Sequence, residues 1–238
     1  KNLKLILRAG MGLDSIDVEY AKKRGLYVIN TPSASSLSVA ELVFTHLFSL
    51  VRFTYHSNRT MQLEGAFNFK KLKKNYSNGI ELKGKILGII GFGNVGVRLS
   101  NLVKGFDMEI LVNSKSLESR KKDFPHVKNV SFDELISTSD IISFHGKATA
   151  DGKPLLSKEH YAKVKPSALI INASRGNIVD ESDLNDALNE GLIAGAAIDV
   201  YSTEPAKENV LFNNPKAILT PHIAASTAEA SIVVAEMA

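Results

Sequence analysis

Short hydrophobic runs alternate with segments of helical periodicity along most of the chain. Runs of four or five aliphatic residues predict strands, and stretches with apolar residues three and four positions apart predict helices. Strict alternation of the two is typical of a parallel sheet covered by helices on both faces. The predicted strands span 3–7, 26–29, 86–90, 109–112, 141–144, 168–172, 195–199 and 217–220, and the predicted helices 17–24, 38–53, 95–103 and 180–190, with shorter ones beginning at 131 and 157.

The segment 85–106 carries three glycines at GxGxxG spacing between a predicted strand and a predicted helix. The first glycine permits a tight turn, the second lets the backbone approach a pyrophosphate, and the third lets the helix pack on the strand. The free N–H groups of the helix would then point at the phosphates. In this context the pattern predicts dinucleotide binding, with a plain glycine turn as the alternative. The predicted binding residues are Gly91, Gly93, Asn94, Val95 and Gly96.

The end of the next strand bears on the choice of nucleotide. A site for NAD usually has an acidic residue about 20 residues past the first glycine, where it binds the ribose hydroxyls. Asn113 stands at that distance, followed by Ser114 and Lys115, with Arg120 nearby. An uncharged residue beside hydroxyls and cations would tolerate the 2′-phosphate of NADP, whereas the Asn113 amide could equally bind the NAD ribose. The sequence therefore leaves NAD and NADP open.

Three residues with catalytic chemistry follow successive predicted strands. Hydride transfer to a carbonyl needs a proton donor, a role that His222 can fill, and a nearby carboxylate such as Glu204 would stabilise the imidazolium. Arg175 offers a planar fork for the carboxylate of a keto acid. Taken singly, His222 could be a structural histidine packed in the protein, and Arg175 and Glu204 could be surface ion-pair partners. Their joint position after strands predicts a catalytic set, because ligands of such sheets bind at the carboxyl edge.

Composition narrows the function classes. The 238 residues are 44% hydrophobic and 23% charged, as in ordinary globular proteins of one large or two modest domains. No cysteine is present, which excludes disulfides and thiolate metal sites and favours a reducing, cytoplasmic location. The other histidines lack metal-ligand spacing, so no metal is expected.

Net charge is +4, and no run reaches membrane-spanning length. The basic residues Lys70, Lys71, Lys73 and Lys74 predict a solvated loop rather than a nucleic-acid site, since no stacking aromatics or binding motif accompany them.

Several segments together resemble the D-isomer-specific 2-hydroxyacid dehydrogenase family, and within it the D-3-phosphoglycerate dehydrogenases. The resemblance covers essentially the whole chain, and the motifs stand in family order. They are RAGMGLDSID (8–17), NTP (30–32), VAEL (39–42), GFGNVG (91–96), INASRGNIVDE (171–181), AAIDVYSTEP (196–205) and PHIAAST (221–227).

The resemblance implies a role for individual residues. It makes Arg175, Glu204 and His222 the catalytic Arg, Glu and His, and Asp199 the partner of the nicotinamide carboxamide. It also implies cofactor binding at His145, Ala173 and Ser174, and substrate binding at Arg8, Met11, Gly12 and Arg175. The implied reaction is reversible oxidation of a small D-2-hydroxy acid by NAD or NADP. The favoured substrate is D-3-phosphoglycerate, with glyoxylate or hydroxypyruvate reduction, or a non-catalytic NAD(H)-responsive corepressor-like scaffold, as alternatives.

The resemblance also implies how the chain is organised, and the sequence departs from the family pattern at two positions. Residues 35–221 would form a doubly wound, Rossmann-like dinucleotide-binding domain, and residues 1–34 and 222–238 part of a smaller flavodoxin-like substrate domain. Family members extend beyond both ends of this sequence, so a portion of the full enzyme is expected. The apolar helix from Ser38 would lie in a homodimer interface, or be an ordinary core helix. Asn113 replaces the usual acidic residue, and Lys147 replaces the proline of a HxP turn, which predicts a different loop shape there.

Overall fold

The computed structural model describes residues 2–147, 149 and 151–238, which form nine strands and eight α-helices. The strands are β1 (Leu5–Arg8), β2 (Tyr27–Asn30), β3 (Ile86–Ile90), β4 (Glu109–Asn113), β5 (Val127–Asn129), β6 (Ile141–Phe144), β7 (Leu169–Asn172), β8 (Gly195–Ile198) and β9 (Ala217–Leu219). The α-helices are α1 (Val18–Lys23), α2 (Ser36–Arg52), α3 (Thr54–Asn75), α4 (Asn94–Leu102), α5 (Phe132–Thr138), α6 (Lys158–Tyr161), α7 (Glu181–Glu190) and α8 (Ala228–Met237). Short 3₁₀ helices span Val103–Phe106, Lys115–Asp123 and Gly176–Ile178.

Seven strands form one parallel sheet in the order β5-β4-β3-β6-β7-β8-β9. The chain runs outward from β3 to β5, then returns to the other side of β3 at β6, so the strand order reverses between β3 and β6. Such a reversal leaves a crevice at the carboxyl ends of the strands, where ligands of this architecture bind. Strands β1 and β2 pair in a separate two-stranded parallel sheet.

The strand register brings the predicted site residues to one edge. Ile90 at the end of β3 pairs with Asn113 and with Phe144. Asn172 at the end of β7 pairs with Phe144 and with Ile198. The strands therefore end nearly level, and the residues that follow them share the carboxyl edge of the sheet.

The central strands bury side chains on both faces of this sheet. Consecutive residues point in opposite directions: Ile89 packs with α2 and α4 residues, whereas Ile90 packs with those of α5 and α7. Ile141 and Ile142 divide in the same way. The predicted doubly wound α/β fold is confirmed. Its division into two domains stays a prediction.

Two predictions about local structure were wrong. The basic run at Lys70–Lys74 is not a loop but the last turns of α3. Helix-favouring residues such as Met, Gln, Glu and Lys specify that helix, and with Leu72 as its buried residue it lacks the apolar periodicity by which helices are recognised. Ser38 does not begin α2, which starts two residues earlier. Its hydroxyl lies 2.8 Å from that of Thr227 and links α2 to the start of α8.

The apolar face of α2 packs on the sheet. Ala40, Val43 and Leu47 are at most 1% exposed and lie in the same cluster as α4. This face of α2 is therefore that of an ordinary core helix, the alternative to the predicted interface helix.

Within the described part of the chain, no single helix is long and apolar enough to cross a membrane. By length and composition alone, α2 and α3 pass that test as a pair, bent by 58°.

Candidate functional site

The glycine turn between β3 and α4 has the shape required by a dinucleotide. Gly91 has a φ of +92°, and a Cβ there would lie 2.7 Å from the backbone of His145 and Gly146. A Cβ on Gly96 would lie 2.6 Å from the Gly91 carbonyl oxygen. Gly93, by contrast, precedes the first turn of α4 and has no atom within 4 Å of its would-be Cβ among the described residues. Gly91 and Gly96 are thus required by packing, whereas Gly93 keeps open the space where a pyrophosphate would approach the helix.

The loop after β4 closes around this turn. Arg120 donates from Nη2 to the Phe92 carbonyl at 2.6 Å, and its guanidinium lies 5.5 Å from the centre of the Phe124 ring. Asn113 donates its side-chain amide to the Val130 carbonyl at 2.9 Å. Ser114 donates its backbone N–H to Asn129, whose own amide is hydrogen-bonded to Glu118. Of the predicted residues here, Asn113 is tied by its amide to the Val130 carbonyl, and Arg120 contacts the glycine turn directly through Phe92.

His145 follows β6 directly beside Gly91. Its Nε2 lies 2.8 Å from the Ser143 hydroxyl, and Nδ1 is buried without a hydrogen-bond partner among the described residues. Burial lowers the pKa of His145 to about 4, so the ring is neutral at physiological pH. A buried polar atom of this kind calls for a partner, and a bound nucleotide could supply one. The prediction about the loop shape at Lys147 falls partly on Ala148 and Ala150, which lie outside the described residues.

The predicted catalytic pair is in direct contact. His222 donates from Nδ1 to Glu204 Oε2 at 2.6 Å, and Glu204 Oε1 accepts the Tyr201 backbone N–H at 3.0 Å. Burial raises the pKa of Glu204, but the hydrogen bonds from His222 and Tyr201 and the positive charge of Arg175 outweigh that effect and hold it below its ordinary value. Glu204 is therefore an anion at neutral pH, held ready to stabilise a protonated imidazole.

Arg175 lies between the glycine-rich loop after β1 and the loops after β7 and β8. Its Nη2 forms an ion pair with Asp14 at 3.0 Å, and its Nη1 donates to the Ser174 carbonyl at 2.7 Å. A Cβ on Gly12 would lie 2.8 Å from Nη2, so the predicted substrate loop touches the guanidinium. Met11 is 45% exposed and its carbonyl accepts from Asn30. Arg8 instead donates from Nη1 to the neighbouring Ala9 carbonyl at 3.1 Å, and within the described part of the chain no hydrogen bond or ion pair joins it to Arg175 or Asp14.

Backbone close approach holds the loops after β7 and β8 together. A Cβ on Gly176 would lie only 1.9 Å from the carbonyl carbon and oxygen of Tyr201. Asn172 is 1% exposed and shapes the first loop by donating to the Arg175 carbonyl and accepting from Ser174. Ala173 is buried in the same loop. Sequence reasoning missed Gly176 and Asn172, although both stand within the INASRG motif.

Asp199 is fully buried at the end of β8. Its carboxylate accepts from the Thr220 hydroxyl at 2.6 Å and from the backbone N–H groups of Ile223 and Ala224 at 2.9 Å. These bonds enclose the turn that carries His222. Its predicted contact with the nicotinamide carboxamide stays a prediction. Among the described residues, no group of three or more His, Cys, Asp or Glu is placed to hold a metal ion.

Comparison with known proteins assigns the family. The family model described as "D-isomer specific 2-hydroxyacid dehydrogenase, NAD binding domain" matches residues 44–224. The chain belongs to this family. The matched residues include the glycine turn and the three predicted catalytic residues, so the cofactor class of this domain is a nicotinamide dinucleotide.

Relatives within the family carry different substrate names. The chain is 38% identical over 233 residues to D-3-phosphoglycerate dehydrogenase of Archaeoglobus fulgidus, covering 98% of this chain and 43% of that protein. It is 39% identical over 233 residues to hydroxypyruvate reductase of Thermotoga maritima, covering 97% of this chain and 73% of that protein. The chain therefore spans less than half the length of the phosphoglycerate dehydrogenases that it matches.

Solved structures share the fold over nearly the whole chain. An NAD complex of a formate dehydrogenase from Staphylococcus aureus has a TM-score of 0.85 and 29% identity, covering 99% of this chain and 69% of that one. The acyclic imino acid reductase Bsp5, in complex with NADPH and D-Arg, has a TM-score of 0.86 and 29% identity, covering 98% and 72%. The family fold thus accommodates both nucleotides.

Proposed function

We propose that this chain supplies the nucleotide site and the catalytic groups of an NAD(P)-dependent D-2-hydroxyacid dehydrogenase. The observation that carries the proposal is the 2.6 Å hydrogen bond between His222 and Glu204. The two residues come from separate loops at the same sheet edge as the glycine turn, and their chemistry is that of a proton-transfer pair. Family membership supports the same activity.

His222 is the group that exchanges a proton with the substrate oxygen. Because Nδ1 donates to Glu204, Nε2 is the ring nitrogen left to face a substrate. In the reducing direction His222 gives its proton to the oxygen of the forming hydroxyl, and in the oxidising direction it takes that proton. The Glu204 carboxylate fixes the tautomer and stabilises the charged imidazole. The nicotinamide ring, when bound, supplies or accepts the hydride.

Arg175 binds the carboxylate of the acid. A guanidinium is planar and always charged, so it orients a keto acid by paired hydrogen bonds. Its side chain is 33% exposed and its Nη2 faces Asp14, whose side chain is 73% exposed. A substrate carboxylate would bind on the side where Asp14 now stands. Because Gly12 has no side chain, the loop after β1 can lie directly against the guanidinium.

Among substrates, we propose D-3-phosphoglycerate first and glyoxylate or hydroxypyruvate second. The phosphoglycerate dehydrogenase and hydroxypyruvate reductase relatives match at nearly equal identity, so the ranking rests on the motif resemblance. The test is a spectrophotometric assay of the full-length enzyme against each acid with NAD(H) and NADP(H). Turnover that His222→Ala abolishes would support the proposal. Absence of turnover with every pair, or cofactor-dependent partner binding unaffected by His222→Ala, would favour a scaffold instead.

We also infer that the nucleotide site accepts NADP. Asn113 bears no charge to repel a 2′-phosphate, and Arg120 lies at the same turn. The Glu118 carboxylate is hydrogen-bonded to Asn129 within this loop. Fluorescence titration with both nucleotides tests the inference. Asn113→Asp should weaken NADP binding more than NAD binding, since it places a carboxylate beside the ribose; unchanged selectivity would contradict the assignment.

We further propose a homodimer. The helix α3 exposes Leu63 (77%), Phe67 (90%) and Phe69 (59%). Neighbouring exposed apolar side chains are typical of interaction surfaces, and a second copy of this chain is the proposed occupant. Analytical ultracentrifugation of the full-length protein should show a dimer that Phe67→Asp dissociates. A wild-type monomer at micromolar concentration would contradict this.

A further inference from the structure

A buried histidine on α2 lies behind the turn that carries His222. His46 is 3% exposed, and its neighbours on the buried face of the helix, Val43, Leu47 and Leu50, are aliphatic. A buried polar side chain needs a hydrogen-bond partner. His46 has one in Thr220, whose hydroxyl oxygen lies 3.2 Å from Nε2.

The direction of these hydrogen bonds follows from proton counting. The Thr220 hydroxyl has one proton, which it donates to Asp199 at 2.6 Å. Its oxygen must therefore accept from His46, which makes His46 the tautomer protonated on Nε2. Burial lowers the pKa of His46 and outweighs the opposing charge of Asp199, so the ring is neutral at physiological pH.

The chain of hydrogen bonds continues into the catalytic turn. Asp199 accepts the N–H groups of Ile223 and Ala224, which flank His222 on one side. On the other side, the Thr220 carbonyl accepts the Tyr201 hydroxyl at 3.0 Å. His222 itself has a φ of +53°, in the left-handed region that residues other than glycine seldom adopt. Such a backbone conformation persists only where its surroundings enforce it.

We propose that His46 is a positioning residue for His222. By donating to Thr220 it directs the threonine proton to Asp199, and the resulting network holds the left-handed turn that presents the His222 ring to Glu204. The inference rests on the function proposed for His222. It assigns a role to a residue that acts on His222 through Thr220 and Asp199 rather than by direct contact.

The test compares two substitutions at one position. His46→Leu keeps the approximate volume and removes the donor, whereas His46→Gln places an amide N–H near the former Nε2. The first readout, independent of activity, is the pKa of Glu204 measured by carbon-13 NMR of its carboxyl group. The groups that face this carboxylate are His222, Arg175 and the Tyr201 N–H. The second readout is kcat and KM of the full-length enzyme. His56→Leu, on α3, is the matched control.

His46→Leu should raise the pKa of Glu204 toward its ordinary value, because a relaxed turn weakens the hydrogen bond from His222. It should lower kcat roughly fivefold, the equivalent of one hydrogen bond, with little change in KM for the nucleotide. His46→Gln should restore both quantities, and His56→Leu should alter neither. A folded His46→Leu protein with an unchanged Glu204 pKa would overturn the proposal, as would a His46→Gln protein as impaired as His46→Leu.

A second position keeps the test decisive if His46→Leu fails to fold. Thr220→Val removes the hydroxyl through which His46 acts and should shift the Glu204 pKa in the same direction. In a folded background, adding His46→Gln to Thr220→Val should then change nothing further, because the two residues act through one contact. An unshifted Glu204 pKa in Thr220→Val would refute the network. If the wild-type enzyme turns over no acid, the proposed function fails, whereas the NMR readout still decides the role of His46.

Discussion

Replacing Gly176 by alanine should impair catalysis far more than its small size suggests. The new Cβ would lie 1.9 Å from the Tyr201 carbonyl, whereas real Cβ contacts are essentially never below 3.0 Å, so the two backbones must separate by about 1.1 Å. Both sides of the contact are backbone, and no flexible side chain can yield. The displacement would move Arg175, the preceding residue, away from the loop that carries Glu204. A misplacement of about 1 Å in a catalytic group can cost roughly 100-fold in rate.

The assay for Gly176→Ala separates positioning from folding. We expect kcat/KM of the full-length enzyme to fall by roughly 100-fold. The free energy of unfolding should fall by about 1–3 kcal/mol, as in other overpacked sites. Nucleotide affinity should fall less than kcat/KM, because the glycine turn that would hold the pyrophosphate belongs to β3 and α4, outside the displaced loops.

The matched control is Gly105→Ala, where no atom lies within 4 Å of the added Cβ among the described residues and φ is not left-handed. It should leave both activity and stability nearly unchanged. A Gly176→Ala enzyme with wild-type kcat/KM would refute the close-approach argument.

Three further predictions follow from the site. Asp14→Asn should lower KM for the acid by about two- to fivefold in steady-state kinetics, because an exposed ion pair is weak but competes for Arg175; a raised KM would show that Asp14 orients the guanidinium. Gly93→Val should weaken nucleotide binding by at least about tenfold in fluorescence titration, because its branches enter the space left for a pyrophosphate. Its melting temperature should stay the same, and unweakened binding would place the nucleotide elsewhere. In urea unfolding, Glu204→Gln should be less stable than wild type at neutral pH by at most about 1 kcal/mol, since Glu204 is over a third exposed. Because the folded-state pKa of Glu204 is lowered, this gap should vanish as the pH falls through that pKa, and a gap that grows in acid would contradict the sign.

The sequence predicted the sheet because its strands are short apolar runs bounded by turn residues, and the glycine turn because its spacing is fixed by sterics. It could not predict α3, whose helical residues have no apolar periodicity, nor β5, a three-residue strand. The candidate site shows the same division. The contact between His222 and Glu204 could be anticipated because their side chains are of types that suit proton transfer. Gly176 and His46 were missed because their roles depend on contacts between segments far apart in the sequence, Gly176 with Tyr201 and His46 with Thr220, which no local pattern records.

Asp199 is hydrogen-bonded to the turn that carries His222, and it is also the predicted partner of the nicotinamide carboxamide. An ionised carboxylate offers about four acceptor positions, and three are filled here: two on Oδ1, by Thr220 and Ile223, and one on Oδ2, by Ala224. One acceptor position on Oδ2 is left by these three bonds, and because Asp199 is fully buried, a carboxamide N–H could reach it only if the surrounding loops moved apart. Because the same carboxylate holds the His222 turn, nucleotide binding at that oxygen would act directly on the placement of the proton donor. The network through Thr220 and His46 therefore connects the predicted nicotinamide contact at Asp199 with the proton donor His222. Its effect on the pKa of Glu204 should be measurable before any substrate is added.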